Sequence, residues 1–290
     1  GKEVQCASKY LFDTLGEHVV EWAINSLSTM PFKDCVNLIS VDIPDGITSI
    51  PTYGFSGCTE LTTINLPNSL TSVTEFAFYY CPKLTNIVIP DSVTSIERYA
   101  FYNCSGLTGE LIIPDSVTSI GSYAFDNCSG LTGELIIPDG VTSIATGAFR
   151  SCENLTSVEI GSGVTSIGNY TFNECKKLSS ITIGKSCKTI PQELFGSYNQ
   201  NNLSRIIVSD ENTSLDSRNN CNCIINTSTN TIVLGTKNSF IPDSVTGIDQ
   251  YAFYNCSGLT GELIIPDSVT RIGDYAFYGC SELTSVEIGS

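Results

Sequence analysis

The chain has 290 residues, with 14 Lys and Arg against 30 Asp and Glu, a formal net charge of -16 and a sequence pI of about 4.3. That balance repels phosphate backbones and anionic lipid surfaces, which argues against a nucleic-acid partner, and no apolar run reaches the roughly 18 residues that a spanning helix needs. Charged residues make up only 15% of the chain, so the surface must be built from Ser, Thr, Asn and Gly, a composition that suits stacked strands.

Gly1 stands where an initiator Met would, as a tag scar or as the first residue left by processing, and loss of an N-terminal signal is expected. Residues 1–30 carry no repeat. From Ser8 to about Leu27, the residues Leu11, Leu15, Val19, Trp22 and Ala23 recur at helical spacing, with Ser8 available as N-cap. An exposed first coil of a repeat array needs a cover, and this amphipathic segment is expected to be that capping helix. The single histidine of the chain, His18, falls within it.

Beyond residue 30 a cysteine returns every 23 or 24 residues, at Cys35, Cys58, Cys81, Cys104, Cys128, Cys152 and Cys175, then at Cys256 and Cys280. Each closes one phrase, which reads LTNIVIPDSVTSIERYAFYNC over residues 84–104. Self-similarity at this period marks a solenoid whose units bury their apolar faces only by stacking. The head of a unit, such as Leu61-Thr-Thr-Ile64-Asn-Leu66, alternates as a short strand that pairs in parallel with its neighbours. A Pro-Asp, Pro-Asn or Gly-Ser turn ends it, because proline has no N–H to give to a ladder. The phrase Val-Thr-Ser-Ile supplies a second apolar pair, and Ala-Phe-x-x-Cys is expected to turn the chain back as a single helical turn with Ala, Phe and Cys inward.

Phe195 and Phe253 hold equivalent positions 58 residues apart, which leaves room for two coils and 12 further residues. There, Cys223-Ile-Ile and Thr231-Ile-Val-Leu flank Asn226-Thr-Ser-Thr-Asn230, which predicts a β-hairpin projecting from the stack, with Cys221 and Cys223 on opposite faces of its first strand. The last residues, Ile288-Gly-Ser, enter a further coil, so the stack is expected to continue or to have been trimmed. Thirteen cysteines would suit a disulfide framework, but nine share one repeat position, and Cys187 takes the place that Val141 and Val164 hold in other coils. Free Cys is a small buried hydrophobe, so an unbridged inward ladder is expected.

The phrase Leu-x-x-Ile-x-Ile-Pro-Asp-x-Val-Thr-x-Ile-Gly-x-x-Ala-Phe-x-x-Cys resembles the BspA-like leucine-rich-repeat proteins of bacteria over about residues 31–290. The resemblance implies a secreted or surface-attached module, with adhesion to host matrix proteins among the family's roles, and it brings no catalytic residue. The expected architecture is an α/β-type repeat solenoid, a right-handed leucine-rich-repeat superhelix dominated by short parallel strands. A helical cap over 1–30 precedes a solenoid over 31–290 of about ten to eleven coils, with a hairpin-like insertion at about 209–240.

Between the last two apolar strand positions, the outward residues run Asp42, Asn65, Val88, Ile112, Ile136, Glu159, Thr182, Ile207, then Ile264 and Glu287. Val88, Ile112 and Ile136 form an apolar stripe beside Glu110 and Glu134 and between Asn65 and Glu159, the pattern of a protein-binding face. A second row, Tyr53, Phe76, Tyr99, Tyr123, Tyr170, Tyr251 and Tyr275, with Tyr79 and Tyr102 beside it, packs on itself or offers Tyr79, Tyr99, Tyr102 and Tyr123 to a glycan. The recurring turn aspartates bond locally, so no metal or cofactor is expected. Glu110 and Glu134 could form a carboxylate pair, but an open face gives no desolvated pocket, and the chain is read as no enzyme. The expected function is a non-catalytic interaction module for protein, with glycan binding and a structural spacer as alternatives.

Overall fold

Each coil leaves its polar groups to be completed by the coils on either side. The computed structural model describes residues 32–196 and 202–289, and the helix expected before residue 31 lies outside the described residues. The chain winds as a β-solenoid of about 11 turns with almost no helix. Among the described residues the one helical element is a 3-10 turn at Arg218–Asn220.

Three stretches of each coil meet their counterparts in parallel. The Ser-Ile phrases form a six-stranded parallel sheet of two-residue strands, from Ser49–Ile50 to Ser166–Ile167. The strand heads form a second face, where Ser40–Asp42 pairs with Thr63–Asn65, and Thr132–Ile137, Asn154–Ile160, Ser180–Ile183 and Arg205–Val208 build a four-stranded sheet. The third stretch is Ala-Phe-x-x-Cys, which is not the helical turn that the sequence suggested. Its N–H groups alternate in destination. Phe55 N–H goes to Ala77 O of the next coil and Phe78 N–H to Ala100 O, whereas Cys58 N–H turns back to Phe55 O of its own coil. Left-handed backbone at the residue before Ala and at the residue before Cys, as at Tyr99 (φ 55°) and Asn103 (φ 60°), prevents a continuous helix.

Side chains complete the same exchange. Thr71, Thr94, Thr118, Thr142 and Thr165 each donate a hydroxyl to the carbonyl of the matching residue one coil earlier, at 3.0–3.2 Å. Ser92 and Ser116 do the same to Leu70 O and Val93 O at 2.6 Å. This is why the repeat carries Thr and Ser where an ordinary surface would carry Lys and Glu: a short hydroxyl reaches a neighbour one strand spacing away with little side-chain entropy to lose.

The recurring thiol has a similar task. Cys81 donates to Phe55 O (3.1 Å), Cys104 to Phe78 O (3.0 Å), Cys128 to Phe101 O (3.1 Å) and Cys152 to Phe125 O (3.2 Å), always to the carbonyl of the preceding coil. All four are buried. Burial pushes the Cys128 and Cys152 thiols well above their ordinary range, and that of Cys256 to about 12, so they stay protonated donors. Beside them a ladder of buried phenylalanines, Phe32, Phe55, Phe78, Phe101, Phe125 and Phe149, stacks face to face at 5.1–5.6 Å. Cys187 is buried in the slot that Val164 fills one coil earlier, as expected.

Residues 215–234 differ from the expected projecting hairpin. Ile224–Asn226 and Thr231–Leu234 are antiparallel, but Thr231–Leu234 then pairs in parallel with Gly247–Ile248 and so continues the Ser-Ile ladder. Nothing projects, because both faces are needed: Ile224 enters the core of the preceding coils, while Ile225 and Ile232 enter that of the following ones. Arg218 locks the junction, its side chain donating three hydrogen bonds to the Asp216 carboxylate and one each to Asn230 and Ser244 (3.2 Å). Cys221 and Cys223 do not lie on opposite faces. Left-handed backbone at Asn222 (φ 51°) turns both sulfurs inward, where they form a disulfide, the exception to the unbridged ladder.

Because a Cys side chain fills core volume and satisfies a carbonyl at once, Cys128→Ala should lower stability by about 1–2 kcal/mol. Urea unfolding followed by circular dichroism would measure it.

Candidate functional site

The residues free of structural duty lie on the strand face. Outward threonines of that face, such as Thr62 and Thr85, bond back to Ile39 O and Thr62 O. The apolar outward residues have no such bond. Val88 is 73% exposed, Ile112 78% and Ile136 52%, and they follow one another on three successive coils. Isolated exposed aliphatics are ordinary, but a row of them rimmed by polar groups is the exception that marks a contact surface.

The backbone under this row is irregular. Regular pairing lapses between Thr63–Asn65 and Thr132–Ile137, where only the bridges Thr63↔Asn86 and Gly109↔Leu131 remain. Two coils here carry one extra residue in the phrase Thr-Gly-Glu, which lengthens the repeat from 23 residues, between Cys81 and Cys104, to 24, between Cys104 and Cys128. Gly109 and Gly133 absorb it at φ values of 80° and 78°, and pairing resumes with a bulge at Gly133/Glu134. The bulge also turns Glu110 and Glu134 outward beside the stripe, where both are exposed. Ser157 donates to Glu134 at 3.3 Å. Asn65 faces Asp42 across the first strand pair and donates its amide to the Asp42 carboxylate, and Glu159 faces both Ile136 and Thr182. All seven sequence-derived residues, Asn65, Val88, Glu110, Ile112, Glu134, Ile136 and Glu159, therefore share one face, with carboxylates along one margin and at the end of an apolar row.

The tyrosines lie on the other side of each coil. Tyr53, Phe76, Tyr99 and Tyr123 stack in one ladder with centroids 4.5, 5.0 and 5.2 Å apart. Tyr79 stacks on Tyr102 at 4.8 Å. Arg98 covers Tyr99 at 4.6 Å and Lys33 covers Tyr53 at 4.9 Å. The ladder stops after Tyr123 because the next coil has Gly147 at that position, and a Cβ on Gly147 would collide with the Tyr123 ring. The ring faces are thus largely spent on one another, and it is mainly edges that reach solvent.

One charged group on this side went unnoticed in the sequence. Asp126 occupies the position of Tyr102 one coil earlier and is buried, with Arg150 of the next coil 4.0 Å away. Burial pushes its carboxyl up to about 6, and the Arg150 charge offsets only part of that. The only signal in the sequence was an acid in a register that carries tyrosine at Tyr79, Tyr102, Tyr254 and Tyr278.

Comparison with known proteins agrees with this architecture. The family model described as the BspA type leucine rich repeat region matches in six copies, over residues 25–132, 108–227 and 233–290. A leucine rich cell surface protein from Faecalibacterium prausnitzii is 28% identical, with a TM-score of 0.64 over 94% of this chain and 70% of that one. The leucine rich repeat protein of T. pallidum is 32% identical, with a TM-score of 0.50 over 55% of this chain and 76% of its own. A leucine-rich repeat protein from Bacteroides ovatus shares the fold at 19% identity, with a TM-score of 0.61 over 97% of this chain and 85% of its own. No curated protein matches the chain.

The buried acid has a measurable consequence. Its folded pKa lies above the ordinary carboxylate range, so the native state holds the proton more tightly and stability falls as pH rises between about 4 and 6. Asp126→Asn should flatten that slope and gain of order 1–3 kcal/mol at pH 7, as read from urea midpoints across the range.

Proposed function

Since the chain belongs to the BspA-type leucine-rich-repeat family, whose model spans most of its length, we propose that it is a non-catalytic interaction module that binds a protein through its strand face. The observation that carries this reading is the row Val88, Ile112 and Ile136, exposed on three successive coils and free of any structural bond. A rigid face costs little entropy to present, so apolar residues already fixed in place return most of their burial on contact. The carboxylates at the margin select a partner with apolar side chains among basic ones, in keeping with the net charge of -16.

Surface display and adhesion to host matrix proteins fit the cell-surface relative from F. prausnitzii and belong to the same proposal. A spacer role would leave an apolar row of this exposure without a purpose. Family and fold both point to a scaffold, and Glu110 and Glu134 are exposed on it rather than enclosed in a pocket.

The test is surface plasmon resonance against immobilised fibronectin, fibrinogen, laminin and collagen. Ile112→Ser combined with Ile136→Ser should keep the melting temperature within a few degrees and weaken the protein that binds by at least tenfold, because each isoleucine buried at a contact contributes about 1.5–3 kcal/mol. Unchanged affinity in the double variant would dispose of the strand face as the binding surface.

A further inference from the structure

The side of the solenoid opposite the strand face contains a gap that its own repeat makes visible. At the position before the repeated cysteine, the first four coils carry Asp34, Gly57, Tyr80 and Asn103, and one residue earlier they carry Lys33, Ser56, Tyr79 and Tyr102. Coil two thus has almost no side chain where coils one and three have large ones. The result is a cleft of about 490 Å³, floored by Ser56 and Gly57, with Lys33 and Asp34 as one wall and Tyr79 and Tyr80 as the other. Two strand spacings separate the walls, about 10 Å, which is room for one ring between them.

Each wall is prepared for contact. Tyr79 stacks on Tyr102 with its planes 7° apart and meets Phe76 at 5.5 Å in an edge contact, and the ladder ends there because coil two offers Ser56, so Tyr79 lines the cleft without a stacked partner on that side. Tyr80 is 47% exposed and has no ring contact among the described residues, yet it holds φ 60°. That left-handed position is held by Gly57, Asn103, Asn127 and Asn255 and also by Asp34, Ser151 and Glu174, so Tyr80 is the one aromatic residue there among the described coils, in a conformation that a bulky side chain adopts at a cost. On the other wall the Asp34 carboxylate lies over Gly57, where a Cβ would collide with it, and it has no ion pair or side-chain hydrogen bond among the described residues. The Lys33 ammonium stands 4.9 Å above the Tyr53 ring.

We infer that this cleft is a carbohydrate subsite, which takes one neutral hexose or N-acetylhexosamine ring at the place where coil two lacks its aromatic side chain. The apolar C–H face of the sugar continues the Tyr79–Tyr102 stack. Two adjacent hydroxyls donate to the Asp34 carboxylate, and a ring or hydroxyl oxygen accepts from Lys33. The carboxylate selects against sialic and uronic acids. A flat aromatic side chain of a protein would use the Tyr79 face equally well but would leave Asp34 without donors, which is why the sugar is favoured. The subsite is independent of the strand face, so either can fail alone.

The experiment is saturation-transfer NMR on the full chain with free glucose, galactose, N-acetylglucosamine and N-acetylgalactosamine, alongside an array of neutral oligosaccharides. Transfer to at least one of these sugars is expected, strongest at the protons of one ring face. Ser56→Tyr fills the cleft with the side chain that Tyr79, Tyr102, Tyr254 and Tyr278 supply at the same position in other coils, and it should weaken binding at least tenfold. Tyr80→Asn, which installs the residue of coil four and relieves strain, should weaken it severalfold while the melting temperature holds or rises; Ile112→Ser with Ile136→Ser should leave it unchanged. Absence of transfer from every sugar and from the array overturns the inference, and so does a sugar that binds the Ser56→Tyr protein as well as the parent. Loss of a protein partner rather than a sugar in Ser56→Tyr would also overturn it and assign the cleft to protein docking.

Discussion

Coil-to-coil hydrogen bonding at a constant register is the interaction on which everything else in this molecule depends. A carbonyl buried in one coil finds its donor only if the neighbour repeats the same residue type one strand spacing away. The repeated threonine hydroxyls, such as that of Thr94, the serine hydroxyl of Ser116 and the cysteine thiol of Cys128 point to the preceding coil and end on its backbone. The charged side chains follow the same rule. Lys83 pairs with Glu60, Arg98 with Glu75 and Lys176 with Glu153, each 23 residues earlier, although exposed pairs of this kind contribute little individually. Repetition of sequence is therefore the condition under which buried backbone can be satisfied, and a coil on its own could not satisfy it.

This demand separates structural residues from available ones. An outward threonine on the strand face is already engaged, whereas Val88, Ile112 and Ile136 are not. The same separation holds on the opposite side, where most tyrosine rings stack on neighbouring rings, while Tyr79 and Tyr80 also line the cleft over Ser56 and Gly57. Both candidate surfaces arise where the repeat deviates. On one face an inserted Thr-Gly-Glu places Glu110 and Glu134 outward beside the apolar row, and on the other two small residues remove a rung.

The irregular segment at 215–234 shows how such an array absorbs a larger deviation. Its strands do not leave the stack; Thr231–Leu234 takes the place of a Ser-Ile strand, and two consecutive isoleucines serve two different cores. The Arg218 hydrogen bonds and the Cys221–Cys223 disulfide hold a stretch in which the regular exchange is lost. The disulfide, the one covalent link among the described residues, occurs where periodic hydrogen bonding does not.

The sequence by itself determined the period, the inward Phe and Cys, the parallel pairing of strand heads, the outward row from Asp42 to Glu287 and the place where the repeat breaks, because a strict 23- or 24-residue period converts spacing directly into position. Tertiary structure alone decided the rest. It replaced the expected helical turn before each cysteine with alternating bonds to two coils, since that choice depends on whether a neighbouring carbonyl is within reach. It drew the expected projecting hairpin into the stack, since Ile224 and Ile225 each had a separate core to fill. It revealed the buried Asp126 and the cleft over Ser56 and Gly57, features formed by residues 23 or 24 apart, one of which is defined by side chains that are missing. The cysteine ruler located each of these positions along the chain, but only the packing of one coil on the next showed which were occupied.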